Sequence, residues 1–479
     1  MQRFLAAPDI DFDAIRHELG VSEDYGADAQ AEADQAIDRC VADRDDHTDL
    51  PVVTIDPPTS MDLDQAVHIS ADDDGFLVHY AIADVAALVP PEGALDQESR
   101  RRGTTIYFPD RSVPLHPRSL SEGAGSLLPE QTRPCVLWTI RVHPDGTVGD
   151  VAVRRSTVRS VAKLSYAGVA ADAAAGRLHP SIAALPAFGD LRQRVALERG
   201  AVELDLPDQE AVHDDAGWHL ELAPHTPADR WNSQLSLLTG MCAGTIMADA
   251  GVGLLRTLPP ADPDAVQELR NAATTFGVDW PAEATVGQFL AGLPPDRPTT
   301  LALMSLGATL MRGADYLVLG TDRAGDPPSS PLPPEKMVHA AIGGVYAHVT
   351  APLRRLGDRF ATEVCLAVTA GKPVPDWVSR ALPTLPKLLR SADQLAASAD
   401  RASIDLTESV LLAGRVGQTF DAVVLHAATE HRPAQVFLGD PAVIAACDGS
   451  PPQGSQLRVQ LTEADPATRT VRFAPARAS

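Results

Sequence analysis

Two hairpin patterns set the fold class of this chain. "AVHIS" and "FLVHYAIADV" flank the turn "ADDDG", and "CVLWTIRV" and "VGDVAVRRSTV" flank "PDGT". Both read as antiparallel strands of β-branched and aromatic residues joined by Gly-containing turns. Another strand-like run, "PVVTID", precedes them. Longer apolar stretches follow. "WNSQLSLLTGMCAGTIMADAG", stopping at Gly251, "LALMSLGATLMRGA" and "DRFATEVCLAVTAG" have the length and composition of buried helices. Strands followed by helices predict a mixed α+β (α/β) domain. With 479 residues the chain has room for two or three domains.

The two ends differ in texture. Residues 1–47 read as a short helical segment. "DFDAIRHELG" starts acidic and meets Gly20 as a C-cap, and "ADAQAEADQAIDRCVADR" is rich in Ala. Residues 411–479 contain short strands with Gly, Asp and Pro turns, enough for one small all-β barrel. The expected division is therefore 1–47, 48–410 and 411–479. Within the middle part, residues 373–412 read as helix with Pro breaks, and "GTDRAGDPPSSPLPPEK" as a Pro-rich surface loop.

Charge and cysteine usage narrow the function classes. No apolar run reaches the roughly 18–20 residues needed to cross a membrane. "MQRFLAAPDIDFD" turns acidic at once, unlike a secretory signal. Cys40, Cys135, Cys242, Cys365 and Cys447 are far apart with no CxxC pair, which points to reduced thiols in a cytosol. The net charge of −24 argues against indiscriminate nucleic-acid binding. The charge is uneven, however. The first fifty residues carry fourteen acids and four arginines, whereas Arg100 to Lys163 carries eleven basic residues and five acids. That basic stretch reads either as a solvated face or as a wall that guides an anionic strand. Its arginines suit bidentate phosphate contacts, though genomic base composition explains the bias equally well.

The stretch "TIDPPTSMDLDQAV" concentrates the candidate chemistry. Asp56 closes a strand, Pro57 and Pro58 stiffen the loop, and Asp62 and Asp64 alternate so that both can face one side. Clustered carboxylates repel unless they are protonated or share a cation, and hard oxygen ligands suit Mg²⁺ or Mn²⁺. By spacing alone a solvated acidic turn fits as well. An EF-hand loop is excluded, since it needs a Gly at its sharp turn and a Glu at its twelfth position.

"VVTIDPPTSMDLDQAVHI" resembles the signature of the RNase II family, the RNB-domain exoribonucleases. "LDQESRRRGTTIYFPDRSVPLHPRSLS", "SLLPEQTRP" and "AKLSYAGV" resemble its next segments, and "YAHVTAPLRRLGD" resembles its arginine motif. The last sixty or so residues are similar to an S1 domain, an OB-type RNA-binding barrel. The resemblance runs over residues 48–479 and implies an RNB α/β catalytic domain with a buried channel. It also implies processive 3′→5′ hydrolysis of single-stranded RNA to nucleoside 5′-monophosphates with Mg²⁺, for which Mn²⁺ can substitute. A cytoplasmic monomer acting away from membranes is the matching expectation.

By this resemblance Asp56, Asp62 and Asp64 match three of the family's four catalytic aspartates, and Gln65 stands in place of the fourth. The implied metal ligands are Asp56, Asp62, Asp64 and Gln65, and the implied catalytic residues are Asp64, Asp62 and Arg354. Tyr107 matches the tyrosine that stacks on the 3′-terminal base, and Arg354 the arginine that stabilises charge developing on phosphate. Arg102 and Thr350, from the same two motifs, complete the implied substrate contacts. Read without the resemblance, Tyr107 is a core or turn tyrosine and Arg354 a helix-start arginine, with Arg355 as a rival for any role.

The chain departs from the family pattern at several positions. The Gln65 amide oxygen can ligate Mg²⁺ but brings no charge. Leu356 replaces a usual tyrosine, and Thr362–Glu363 replace a usual His-Arg pair. The N-terminal segment has no room for the family's cold-shock barrels, and its acidity makes a poor clamp for long strands. Two readings result: an active exoribonuclease, or a catalytically weak or inactive RNA-binding member whose metal site Gln65 impairs. A small-molecule phosphohydrolase is disfavoured by the S1-like tail.

Overall fold

The computed structural model describes residues 6–204, 206, 208–223, 225–294, 297–320 and 333–476. Both hairpins lie at the centre of a seven-stranded sheet. In chain order the strands are β1 (Asp45–His47), β2 (Val53–Ile55), β3 (Gln65–Asp72) and β4 (Gly75–Ala83), then β5 (Ile106–Tyr107) and β6 (Ser112–Val113), then β7 (Thr132–Val142), β8 (Val148–Arg159) and β9 (Ala162–Leu164). The sheet order is β1-β8-β7-β4-β3-β2-β9, with β5 and β6 paired on their own. The central pairs β3/β4, β4/β7 and β7/β8 are antiparallel, whereas β1 and β9 add in parallel at the edges. Gly75 starts β4 at φ +109°, and a side chain there would strike the Val142 carbonyl.

Alternation along the strands sorts residues onto two buried faces. Val78, Tyr80 and Ile82 of β4 and Val136, Trp138 and Ile140 of β7 pack with Leu235, Leu238 and Cys242 of helix Pro227–Ala250 and with Phe360 and Val364 of helix Leu356–Thr369. Ala81, Ala83, Cys135 and Leu137 turn the other way, towards Tyr25, Ala29, Ala33 and Leu95. The first helix is delimited by its own sequence. Thr226 and Asp229 form a capping box, Pro227 opens the first turn, and Gly251 ends it in the left-handed region at φ +67°.

The N-terminal segment differs from the expectation in two respects. Its Ala-rich stretch is α-helical only over Ala27–Asp34, with a single 3-10 turn at Val41–Asp43. Beyond that, side-chain bonds draw the chain onto the domain. Arg39 donates to the carbonyls of Ala86 and Val89, and Arg44 donates to Asp38, Asp84 and the carbonyls of Cys135 and Ser156. Asp45–His47 is then a strand of the main sheet, inside the range drawn as 1–47. Of the Pro-rich loop, residues 321–332 lie outside the described residues.

Five strands, Thr419–His426, Ala434–Gly439, Ala442–Cys447, Gln456–Asp465 and Thr470–Pro475, close the C-terminal OB-type barrel. Helix Leu385–Leu412 runs past the expected boundary at 410, and the first barrel strand begins at Thr419. The barrel interior, including Val424, Val436, Leu438, Leu461 and Phe473, is continuous with Phe12, Ile15, Trp218, Leu411 and Leu412. The barrel is therefore seated on the long helix and the N-terminal segment, not hung from a linker. Among the described residues no helix is long and apolar enough to cross a membrane.

Candidate active site

The acidic loop leaves the sheet after β2 and returns as β3, and it is fastened along its length. Asp56 N–H donates to the Leu164 carbonyl (3.0 Å), extending the β2/β9 pairing. Lys163 Nζ donates to the carbonyls of Pro58 (2.8 Å) and Ser60. The buried Ser126 hydroxyl donates to the Met61 carbonyl (2.6 Å) and accepts from Leu63 N–H (3.0 Å). Leu63 buries into the core between Asp62 and Asp64, so the two carboxylates share the opposite side.

Asp64 is itself buried. Its Oδ1 accepts from Leu353 N–H (2.8 Å), and Arg354 Nε lies 3.3 Å from Oδ2. That contact lacks hydrogen-bond alignment, so among the described residues Asp64 Oδ2 has no hydrogen-bond partner, and neither does the buried Asp56 Oδ2. Burial pushes the Asp64 carboxyl up to about 8 and the Asp56 carboxyl up to about 7, in both cases against the pull of Arg354. Burial also raises Asp62. Two buried carboxylate oxygens that accept no hydrogen bond, one of them facing Arg354, are hard donors of the kind a divalent cation takes. Among the described residues no group of three or more His, Cys, Asp or Glu side chains could hold an ion by itself. The fit therefore rests on Asp56 and Asp64, with the other positions left to water or phosphate, as is usual for Mg²⁺.

The two neighbouring arginines separate cleanly. Arg355 precedes helix Leu356–Thr369 and turns inward, with Nε and Nη2 donating to Asp358 at 2.8–3.2 Å. Arg354 turns out towards the carboxylates with 44% of its side chain exposed. Its carbonyl accepts from Thr105 N–H (3.0 Å) and the Thr104 hydroxyl (2.9 Å), which ties it to the start of β5. Tyr107, at the end of β5, is 53% exposed. Desolvation pushes its phenol up to about 12, and the Asp62 carboxylate adds to that shift.

Asp56, Asp62, Asp64, Arg354 and Tyr107 thus share one site. Three other expected residues have different engagements. Gln65 Nε2 donates to the Thr350 carbonyl (2.7 Å), and its Oε1 accepts from the Tyr80 hydroxyl. The amide is used at both ends to join β3, β4 and the loop before Arg354. Thr350 is buried, with its carbonyl on Gln65 and its hydroxyl 3.5 Å from Arg355. Arg102 turns away from the carboxylates. Its Nε donates to Glu98 (2.7 Å), its Nη atoms donate to the carbonyls of Ser22 and Asp24 (2.8 and 2.9 Å), and its guanidinium lies 3.8 Å over the Tyr25 ring.

Of the departures from the family pattern, Leu356 packs in the main core and Glu363 pairs with Arg155 of β8. The basic stretch is largely neutralised by the chain's own acids. Arg111 pairs with Asp13 (2.5 Å), Arg118 with Glu23 (3.2 Å), Arg141 with Asp72 (2.8 Å) and Arg155 with Asp84 (3.0 Å). Sequence reasoning missed Ser126, Lys163 and Tyr80, which hold the loop and Gln65. Ser126 and Lys163 fall inside quoted motifs, "SLLPEQTRP" and "AKLSYAGV", but their partners are loop backbone groups that no spacing reveals.

Comparison with known proteins places the chain in a family. The family model described as RNB domain matches residues 44–368, and the one described as RNase II-type exonuclease C-terminal S1 domain matches residues 418–476. The chain is 28% identical over 354 residues to Exoribonuclease 2 of Vibrio cholerae, covering 69% of this chain and 49% of that protein. It thus spans about half the length of that curated relative. Mycoplasma genitalium RNase R in complex with ribose-methylated single-stranded RNA has a similar fold, with a TM-score of 0.79 at 19% identity over 98% of this chain and 76% of that one. Yeast Ssd1, a pseudonuclease, follows with a TM-score of 0.72 at 16% identity over 92% and 56% of the two chains. The chain belongs to the RNase II family of RNB-domain proteins and carries that family's C-terminal S1 domain.

Proposed function

We propose that this protein is a divalent-metal-dependent 3′→5′ exoribonuclease that hydrolyses single-stranded RNA to nucleoside 5′-monophosphates. The observation that carries this reading is the pair of buried carboxylate oxygens on Asp56 and Asp64 that accept no hydrogen bond among the described residues, with Arg354 and the exposed Tyr107 beside them. Family membership and the RNA-bound neighbour support it. Tyr107 offers a ring face to the 3′-terminal base, a contact worth about 1–3 kcal/mol for any base. Arg354 is held at its carbonyl and presents its guanidinium beside Asp64, so charge developing on a phosphate meets a cation already in place. Asp56 and Asp64 would hold Mg²⁺ or Mn²⁺, with Asp62 alongside, and the ion supplies water activation and charge neutralisation when bound.

One observation favours a second reading, an RNA-binding member without catalysis. Gln65 brings no charge, and its amide is spent inside the fold. A single assay separates the two. Purified protein is incubated with 5′-labelled single-stranded RNA, with and without Mg²⁺ or Mn²⁺. The enzyme reading expects a ladder growing from the 3′ end only with metal, and Asp64→Asn stopping it while leaving binding nearly intact. Binding without shortening, converted to shortening by Gln65→Asp, would establish the second reading. A DNA strand in parallel tests whether the site reads the 2′-hydroxyl.

A further inference from the structure

The hairpin that carries Tyr107 is too short to hold itself. β5 and β6 have two residues each, and an isolated two-stranded hairpin is marginal in water at best. Its inward residues Ile106, Phe108 and Val113 pack into the cluster that contains Phe12 and Ile15. Its turn is held by charge. Arg16 is 5% exposed and donates from its two Nη atoms to the two oxygens of Asp110, at 2.7 Å each. Its Nε donates to Asp13 (2.8 Å), and its guanidinium lies 5.0 Å from the Phe108 ring centroid. Arg111, next in the turn, donates to the same Asp13 (2.5 Å). Past the far strand, the buried Tyr25 hydroxyl donates to the Pro114 carbonyl (2.8 Å).

The N-terminal segment thus grips the hairpin at its turn and at its exit, and Tyr107 is paired across the hairpin with Ser112, which lies between the two grips. We propose that Arg16 is a positioning residue for the 3′-terminal base of the substrate: by fixing Asp110 it fixes the hairpin, and with it the plane of the Tyr107 ring. The proposal rests on the reading of Tyr107 as the base platform. A stacking platform works only if its face is set before the base arrives, and the half-exposed Tyr107 ring has open solvent on part of its surface. A bidentate guanidinium–carboxylate pair fixes orientation as well as distance. Lysine keeps the charge but has no planar fork, so Arg16→Lys restores attraction without restoring alignment.

The test uses a single-stranded RNA whose 3′-terminal base is 2-aminopurine, titrated against the whole 479-residue chain in EDTA so that the probe stays intact. A matching strand with an abasic 3′ end is the control. Tyr107→Ala sets the full effect, loss of the stacking quench and about tenfold weaker binding. Arg16→Ala and Asp110→Asn are expected to lose most of the quench and to bind the 2-aminopurine strand several-fold more weakly, with Arg16→Lys in between. All four variants are expected to bind the abasic strand as the wild type does, which general misfolding would not allow. If Arg16→Ala does not fold, Asp110→Asn decides the matter, because it leaves the Arg16–Asp13 bond in place. Wild-type quench and affinity in the Arg16 and Asp110 variants, alongside a defective Tyr107→Ala, would overturn the positioning role alone. Wild-type behaviour of Tyr107→Ala itself would overturn the platform reading and the proposal with it.

Discussion

Arg354 and Arg355 are adjacent in sequence and opposite in task, and substitutions distinguish them. Arg355→Ala leaves Asp358 buried with, among the described residues, only the Ala351 N–H as side-chain partner, a loss of about 3–5 kcal/mol that a urea midpoint reads directly. Arg354→Ala is expected to leave that midpoint near wild type and to remove hydrolysis, because the cation set beside Asp64 to meet charge developing on a phosphate is gone. Gln65 has a similar double character. Gln65→Asp removes the donor to the Thr350 carbonyl and sets a carboxylate near it, so the metal-free variant should lose about 1–3 kcal/mol in a thermal melt. If Mg²⁺ then raises its melting temperature more than that of the wild type, the new carboxylate has joined the metal site. Proton uptake by Asp56 and Asp64 also sets the pH response. Their carboxyls sit at about 7 and about 8, and an ion must displace those protons. Affinity for Mg²⁺ should therefore climb as pH rises through 7 to 8, and calorimetric titration of Asp64→Asn should give a flatter profile.

At the scale of elements, what matters is how short pieces are held to long ones. The acidic loop is a loop in shape but a rigid one in bonding, because Ser126 and Lys163 occupy its carbonyls. Helix Leu385–Leu412 is joined to the barrel through a buried acid. Glu408 accepts from Ile444 N–H (2.9 Å) and from Gln209 Nε2 (2.7 Å), and burial pushes its carboxyl up to about 8. A carboxyl raised in the folded state binds its proton more tightly there than in the unfolded chain. Its contribution is complete below the unfolded value near 4.5 and is lost as pH rises towards 8, with a slope of at most about 1.4 kcal/mol per pH unit. Glu408→Gln can keep both accepted bonds through its amide oxygen. It should remove that part of the slope and stabilise the protein at pH 8, measured by chemical denaturation across pH 5–9. The helix over 13–18 and the two hairpins were legible because turn glycines and alternation are local signals. The Ala-rich stretch was over-read because its second half is drawn out by Arg39 and Arg44, whose partners lie far along the chain.

At the scale of the whole molecule, the acidic N-terminal segment and the arginines of the middle part balance one another. Asp13 and Glu23 occupy Arg111 and Arg118, and backbone carbonyls of the same segment occupy Arg102. Those arginines are then not free to displace counterions from a bound strand. The logarithm of RNA affinity should fall only gently with the logarithm of salt concentration, the slope of a few phosphate contacts and not of many. Fluorescence titrations between low and physiological salt would show it, and a steep slope would mean that these ion pairs open on binding. The segment, the Tyr107 hairpin, the long helix and the barrel also share one core. Phe12→Ala should cost about 3–5 kcal/mol and raise hydrogen exchange in barrel strands to which it is not joined in sequence.

The amino-acid order alone determined the strands, the apolar helices, the closed C-terminal barrel and, through the family resemblance, the candidates Asp56, Asp62, Asp64, Tyr107 and an arginine at 354 or 355. Those features depend on periodicity, turn chemistry and contiguous motifs, which are properties of neighbours in the chain. Only the tertiary structure decided which of two adjacent arginines faces the carboxylates, why Gln65 is an amide, and where Arg102 and the basic stretch are used. Those outcomes depend on partners up to 289 residues away, such as Leu353 on Asp64. A charge or an amide has no fixed task until folding decides which distant group it meets and whether water is excluded from the pair.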